Sequence, residues 1–344
     1  MLRSLLSALP LLLAAASASA VETPPVRPSD WGPDTPLMQA VPPRQLDASV
    51  SARQSASNTS QLWISHTDFR LHDDIGFFIR KMLIQMSPVA GAGTPLMLDD
   101  PKSMVARIQA GDIFVADATL ATLLNEELRN ANAPVRNLKL STRADGQEVH
   151  GELLRKGRWR PLRMVTGIEQ AGPLKVALVP QRIFVDGVDV TPSLTAASIE
   201  MSEVLQLHTA HMQLIGNRIL VDLDGLFPPP RLDFTVRHLA LADGGMDLLL
   251  GGDLAELKWP QLKAPHSYMF IEGGDIKMAR TILVKAYALF TSLSPDAPLL
   301  FNLYDYRRQL QYGEIRLRED GMVHIAVSPI KAPVKAPAPE GKAL

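Results

Sequence analysis

The stretch covering residues 98–140 constrains the fold most, because the clearest helix pattern of the chain lies there between two strand patterns. Within it, leucines recur at three- and four-residue spacing, which places them on one face of a helix. These leucines are Leu120, Leu123, Leu124 and Leu128. Asp117 stands where its carboxylate can accept a backbone N–H of the first turn. We therefore predict an amphipathic helix that begins near Asp117.

The surrounding sequence is mainly of β type. A strand is expected at residues 104–108, then a polar turn at residues 109–112 and a second short strand. After the helix, apolar and β-branched segments alternate with turn dipeptides such as Asp145-Gly146, at intervals of about eight to fifteen residues. This spacing favours an antiparallel meander over β-α-β units.

A second helix is predicted to begin at Thr191 and Pro192, because threonine caps helices and proline suits the first helical position. Its apolar side chains are Leu194, Ala197, Met201, Val204 and Leu205. We expect an α+β, β-rich fold with strongly curved antiparallel sheets wrapped around one or two amphipathic helices. Several strands are apolar on both faces. Either a sheet covered on both sides or a curved sheet around an apolar cavity explains this.

The two ends of the chain differ from the middle. Residues 1–20 combine a basic start, an apolar run and a small-residue ending, as secretory signal peptides do. Residues 21–60 form a Pro/Ser-rich segment that we expect to be a disordered leader, and residues 330–344 an equally disordered Lys/Ala/Pro tail. A single folded body then covers residues 61–329. The mature protein is expected to be soluble, in the periplasm or outside the cell.

Composition excludes several classes of protein. The chain has no cysteine, so it is neither a disulfide-stapled scaffold nor a lipoprotein acylated at an N-terminal cysteine. Lys and Arg (35) balance Asp and Glu (36), so no overall field attracts nucleic acid and no nucleic-acid partner is expected. No segment after the signal peptide has the apolar length of a membrane helix.

The densest polar cluster consists of His66, Asp68, His72 and Asp74. Imidazoles and carboxylates can hold a transition metal, but this spacing does not fix two ligands on one face, and an exposed strand end is the simpler explanation. No nucleophile motif or phosphate-binding glycine loop is present. We therefore predict no catalytic residue, no metal and no cofactor.

One basic run interrupts the balanced charge: Arg155, Lys156, Arg158, Trp159, Arg160 and Arg163. It is either a solvated hairpin or a point of transient contact with anionic headgroups at a membrane surface.

A weak internal echo links the region of Ile108 to that of Ile271, through the shared pattern of Ile, Gly, Asp, Ile, Ala and Leu. Duplication into two similar halves and chance similarity both explain it. Residues 282–290 fit either a strand or a buried helix, and residues 266–328 carry no motif.

Four segments carry a family resemblance: LDDPKSMVARIQAGDIFVADATLATLLN, APVRNLKLSTRADGQEVHGEL, VDGVDVTPSL and GNRILVDLDGLFPPPRLDFTVRHLALADGGMDL. In element order and apolar pattern, residues 98–250 resemble bacterial envelope proteins of the tubular lipid-binding (TULIP) superfamily, in its small secreted phospholipid-binding branch. The resemblance implies a long helix cradled by a highly curved antiparallel sheet, a lipid-accommodating groove, and no catalytic residues to transfer.

Together these observations predict a soluble periplasmic protein that binds a lipid or another apolar envelope molecule without catalysis, with lipid transfer as one use of that binding. The residues expected along the apolar groove are Leu120, Leu124, Leu128, Leu194, Met201 and Leu205. One alternative is a structural or adaptor protein of the cell envelope with a closed core. A second is a metal-dependent hydrolase. The identity of the ligand and the oligomeric state do not follow from the sequence.

Overall fold

The computed structural model describes residues 58–72, 74–90, 94–294 and 296–328, which belong to one compact unit. The predicted signal peptide (1–20), the predicted leader (21–60) apart from its last three residues, and the predicted tail (330–344) lie outside the described residues.

The strands are β1 (Ser60–His72), β2 (Ile75–Pro88), β3 (Leu96–Met97), β4 (Met104–Ala116), β5 (Val135–Arg143), β6 (Gly146–Arg155), β7 (Arg158–Gly172), β8 (Lys175–Val185), β9 (Val188–Asp189), β10 (Met212–Ile215), β11 (Arg218–Asp222), β12 (Arg231–Asp233), β13 (Val236–Ala242), β14 (Gly245–Gly251), β15 (Tyr268–Glu272), β16 (Ile276–Met278), β17 (Thr281–Leu283), β18 (Tyr287–Ser292), β19 (Leu300–Asn302), β20 (Glu314–Leu317) and β21 (Val323–Val327). The helices are α1 (Asp117–Asn130), α2 (Thr191–Ala196), α3 (Met201–Val204) and α4 (Tyr306–Gln311), with single 3-10 turns at Pro101–Ser103 and Leu254–Glu256. The fold is therefore α+β and rich in β structure, as the sequence predicts.

The strands form two main sheets and one small sheet. The large sheet has 11 strands, in the order β13-β14-β4-β2-β1-β15-β18-β21-β20, with β12 beside β4 and β19 beside β1. The second has 7 strands in the order β10-β11-β8-β7-β6-β5, with β9 beside β8, and it is the predicted antiparallel meander. Neither order closes on itself within the described residues. The small sheet contains β17, β16 and β3.

Helix α1 is one of two covalent links between the two main sheets, because it follows β4 and precedes β5, and the chain returns to the large sheet between β11 and β12. Leu123 packs into the core of the large sheet, whereas Leu124 and Leu128 pack into the core of the seven-stranded sheet. The predicted leucine face is therefore divided between two cores.

Strands of the large sheet are apolar on both faces because both faces are covered near β1. Trp63 and Phe270 point away from the main core and pack against residues around Trp259, whose ring meets that of Trp63 edge-on at 5.0 Å between centroids. Trp259 Nε1 donates a hydrogen bond to the Tyr268 hydroxyl at 2.7 Å. In this part of the sheet, cover on both sides explains the two-sided apolar pattern.

The predicted polar turn at residues 109–112 is wrong, because β4 runs through it without a break. Ala110 pairs with Leu83 of β2 on one side and with Gly251 of β14 on the other. The Asp112 carboxylate pairs with Arg80, which donates to it at 2.8 Å and also pairs with Asp247 of β14. Pairing with two remote strands therefore overrides the local turn pattern.

The predicted cap at Asp117 is also wrong. Asp117 is the first helical residue, and its carboxylate accepts hydrogen bonds from the backbone N–H of Thr142, at 2.7 Å, and from the Thr142 hydroxyl. The side chain therefore ties the start of α1 to β5 instead of capping the helix.

The predicted second helix is two short helices. It begins at Thr191 as expected, but ends at Ala196, and Ser198 then has a positive φ of 53°. A reciprocal capping box between Glu200 and Glu203 starts α3 as a separate helix. Ala197, expected on the apolar stripe, is exposed.

The final third, which carries no sequence motif, completes the large sheet through β15, β18, β20 and β21. Residues 282–290 lie in strands β17 and β18 and the loop between them, so the strand alternative is correct. The two segments of the internal echo differ in local structure: Gly111 lies inside β4, whereas Gly274 lies in the loop after β15 at a φ of 62°.

Candidate apolar binding site

Two adjoining apolar cavities lie along α1. The larger, of about 450 Å³, lies over the seven-stranded sheet. The smaller, of about 100 Å³, has walls from both main sheets. Leu124, Leu140 and Leu178 line both, so these three side chains form the partition between the cavities. We refer to them as the leucine partition.

Alternate residues of β6, β7 and β8 form the floor of the larger cavity. Val149, Met164 and Ile183 are direct cross-strand neighbours on β6, β7 and β8, and all three are buried. Since every second residue of a strand lies on the same face, the residues two positions away along each strand extend this apolar surface. Leu162 and Val185, paired across β7 and β8, line the same cavity.

Polar contacts fix α1 over this floor. The Asn125 side-chain amide accepts from the Leu138 N–H at 2.7 Å and donates to the Leu138 carbonyl at 2.8 Å. The Glu127 carboxylate accepts from the His211 N–H at 2.8 Å and from the Thr209 hydroxyl. Because these bonds hold the polar face of the helix, its leucine face is aimed at the cavities.

The six residues predicted for the groove all lie on cavity walls. Leu120 lines the smaller cavity, and Leu124 lines both. The other four, Leu128, Leu194, Met201 and Leu205, line the larger cavity. Occupation of these cavities by a ligand stays a prediction.

Sequence reasoning missed the strand residues of the wall, including Val149, Met164 and Ile183. Their alternation shows which residues share a face. It does not show which face meets the helix, and that depends on how the two main sheets are connected.

The lining is almost wholly apolar. Among the described residues, Gln147 is the one polar side chain on the smaller cavity's wall, and its amide donates to the Thr142 hydroxyl at 2.8 Å. On the larger cavity's wall the polar side chains are Ser193 and Arg155. Such a wall binds a guest by removing its apolar surface from water, at about 25 cal/mol per Å².

The larger cavity has its exposed lining residues at one end. Leu154 and Arg155 lie at the end of β6, and Ser193 and Val204 lie on α2 and α3. The exposed fraction is 41% for Leu154 and 62% for Val204. This end, between the tip of the β6–β7 hairpin and the two short helices, is the mouth of the cavity.

The four residues considered as metal ligands, His66, Asp68, His72 and Asp74, do not form one cluster, and three of them contact other side chains. The His66 ring lies 3.5 Å from that of His266, and burial together with the charge of His266 lowers the pKa of His66. Asp68 pairs with Arg70 at 3.1 Å, and the His72 ring meets Tyr304. Asp74 is exposed. Among the described residues, no three His, Asp or Glu side chains are grouped closely enough to hold a metal ion.

None of the helices in the described part of the chain has the length and apolar character needed to cross a membrane. No family model matches the sequence, and no curated protein or solved structure matches it either, so the resemblance to TULIP proteins rests on the residues given above.

Proposed function

We propose that this protein binds a single apolar molecule, such as the acyl chain of a lipid, in the larger cavity beside α1. The supporting observation is the cavity itself: about 450 Å³ of space whose wall is apolar except at the mouth. Ligand pockets typically measure about 300–1,000 Å³, so the larger cavity lies within this range and the smaller cavity, at about 100 Å³, lies below it.

The packing density of protein interiors supports a bound ligand in the larger cavity rather than an empty cavity. Protein interiors are close-packed, and voids larger than a water molecule are few. An engineered apolar cavity of about 150 Å³ stays dry and takes up benzene. The larger cavity has about three times that volume, which suits a hydrocarbon chain better than water.

The proposal extends to shape and location. We propose that the seven-stranded sheet curves around α1, as the TULIP resemblance implies. Residues 1–20 support a periplasmic or secreted location, where such a protein would hold or transfer envelope lipids.

The test uses the full chain purified from an envelope fraction. Native mass spectrometry is expected to show one bound lipid-sized mass per chain, and a fluorescent acyl probe is expected to bind with one-to-one stoichiometry after delipidation. A preparation that carries no such mass and takes up no probe would overturn the proposal.

A further inference from the structure

The tip of the β6–β7 hairpin carries exposed positive charge. Arg155, Lys156 and Arg158 are exposed, and none forms an ion pair with a carboxylate of the described residues. The next basic residues along β7 are paired: Arg160 with Asp186 at 3.4 Å, and Arg163 with Glu148 at 2.8 Å. The turn itself is held by positive φ values at Lys156 (49°) and Gly157 (71°).

Exposed apolar side chains lie around the same mouth. Leu154 and Val204 line it, and Val188 of β9, paired with the cavity residue Val185, is 64% exposed. Trp159 is half-buried, with the Arg136 guanidinium 3.9 Å from its ring centroid. Basic residues mixed with exposed apolar and aromatic side chains suit the interface between headgroups and acyl chains.

The charge around the mouth is uneven. Glu200 and Glu203 lie beside Val204, on the helical side, where each carboxylate accepts a hydrogen bond from the backbone N–H of the other residue. The helical side carries carboxylates, and its neighbouring Arg182 and Arg218 are ion-paired, so the positive charge without an ion pair lies on the hairpin side and an anionic surface would be attracted there.

We propose that the β6–β7 hairpin docks the cavity mouth on a bilayer surface rich in anionic phospholipid. The inference rests on the proposed function, because docking at this point gives an acyl chain a path between bilayer and cavity. An anionic surface attracts each nearby Lys or Arg strongly enough that removing two is expected to weaken partitioning roughly 30-fold.

The test is co-sedimentation of the full chain with two kinds of vesicle, one of phosphatidylcholine alone and one of equal parts phosphatidylcholine and phosphatidylglycerol. The hairpin variant is Lys156→Asn with Arg158→Ser, since asparagine tolerates the positive φ at residue 156. The matched control is Lys285→Asn with Arg280→Ser. Lys285 also has a φ of 49°, and both control residues are exposed, without an ion pair to a described carboxylate.

The wild-type chain and the control variant are expected to bind the vesicles that contain phosphatidylglycerol and not those of phosphatidylcholine alone. High salt is expected to release both proteins from the vesicles. The hairpin variant is expected to lose roughly 30-fold in partitioning while keeping wild-type uptake of the acyl probe in solution. Equal binding of the hairpin variant and the wild type, equal binding to both vesicles, or no vesicle binding by the wild type would overturn the inference. Loss of probe uptake by the wild type would instead overturn the proposed function, so the two failures are distinguishable.

Discussion

Replacing Val149 with phenylalanine tests whether the larger cavity is open space. Val149 is 1% exposed, lies on β6, and faces the cavity together with its cross-strand partners Leu140 and Met164. Phenylalanine adds four carbon atoms at this position. If the cavity is open, these atoms enter it; if the interior is closed, they must displace their neighbours.

The two situations differ in the sign of the stability change. Four additional buried carbons contribute at most about 3 kcal/mol, at about 0.8 kcal/mol each. Ordering the larger side chain costs about 0.5–1 kcal/mol of this. We therefore expect Val149→Phe to leave the free energy of unfolding unchanged or to raise it by up to about 2 kcal/mol. Overpacking a filled core would lower it by about 1–3 kcal/mol.

The matched control is Val327→Phe. Val327 on β21 is also 1% exposed, packs in the core of the large sheet, and lines neither cavity. The control is expected to lose about 1–3 kcal/mol. Urea unfolding measures both variants, with a shift of the midpoint at constant slope reporting stability alone.

Probe binding supplies the second measurement. Because the new ring occupies the space of the guest, Val149→Phe is expected to weaken uptake of the acyl probe while the control retains it. If Val149→Phe were as destabilising as Val327→Phe and left probe binding unchanged, the reasoning would be refuted and the closed-core adaptor alternative would be favoured.

Two further predictions concern the supports of the fold. Asn125→Ala removes both hydrogen bonds to the Leu138 backbone, so it is expected to lower the free energy of unfolding by about 1–3 kcal/mol and to weaken probe binding. Urea unfolding and probe titration measure the two effects. A variant as stable as the wild type would contradict the role of these hydrogen bonds in holding α1. Burial, reinforced by Arg318 and Arg316, lowers the pKa of His324 below its ordinary value of 6.5, so the folded state disfavours its protonation. The contribution of neutral His324 to the free energy of unfolding is therefore fully present above about pH 6.5 and decreases as the pH falls below this value. His324→Gln is expected to reduce the decline of the urea midpoint between about pH 7 and pH 5. An equally steep decline in the variant would disprove the assignment.

The sequence predicts the elements that depend on neighbouring residues. The leucine spacing locates α1, and the turn dipeptides separate the strands of the seven-stranded sheet. The second helix was predicted as one because its apolar residues continue past Ala196, whereas the structure starts α3 separately at the capping box of Glu200 and Glu203. In these cases the information is local.

Features that depend on remote pairing could not be predicted in this way. Residues 109–112 have turn-like composition, yet they form a central strand because β2 and β14 flank them. Of the candidate site, Leu120, Leu124 and Leu128 follow from the periodicity of α1, whereas Leu194, Met201 and Leu205 were placed on a single helix that the structure divides in two. The strand residues, such as Val149 and Ile183, require knowledge of which sheet face α1 covers.

The leucine partition bears on how selective the protein would be for guest length. Of the described residues, Leu124, Leu140 and Leu178 are the three that line both cavities, and a leucine side chain can change rotamer without a shift of the main chain. A short guest would leave these side chains in place, whereas a longer one would turn them aside and continue into the second chamber. Tolerance for tails of different length would then depend on the rotamers of these three leucines.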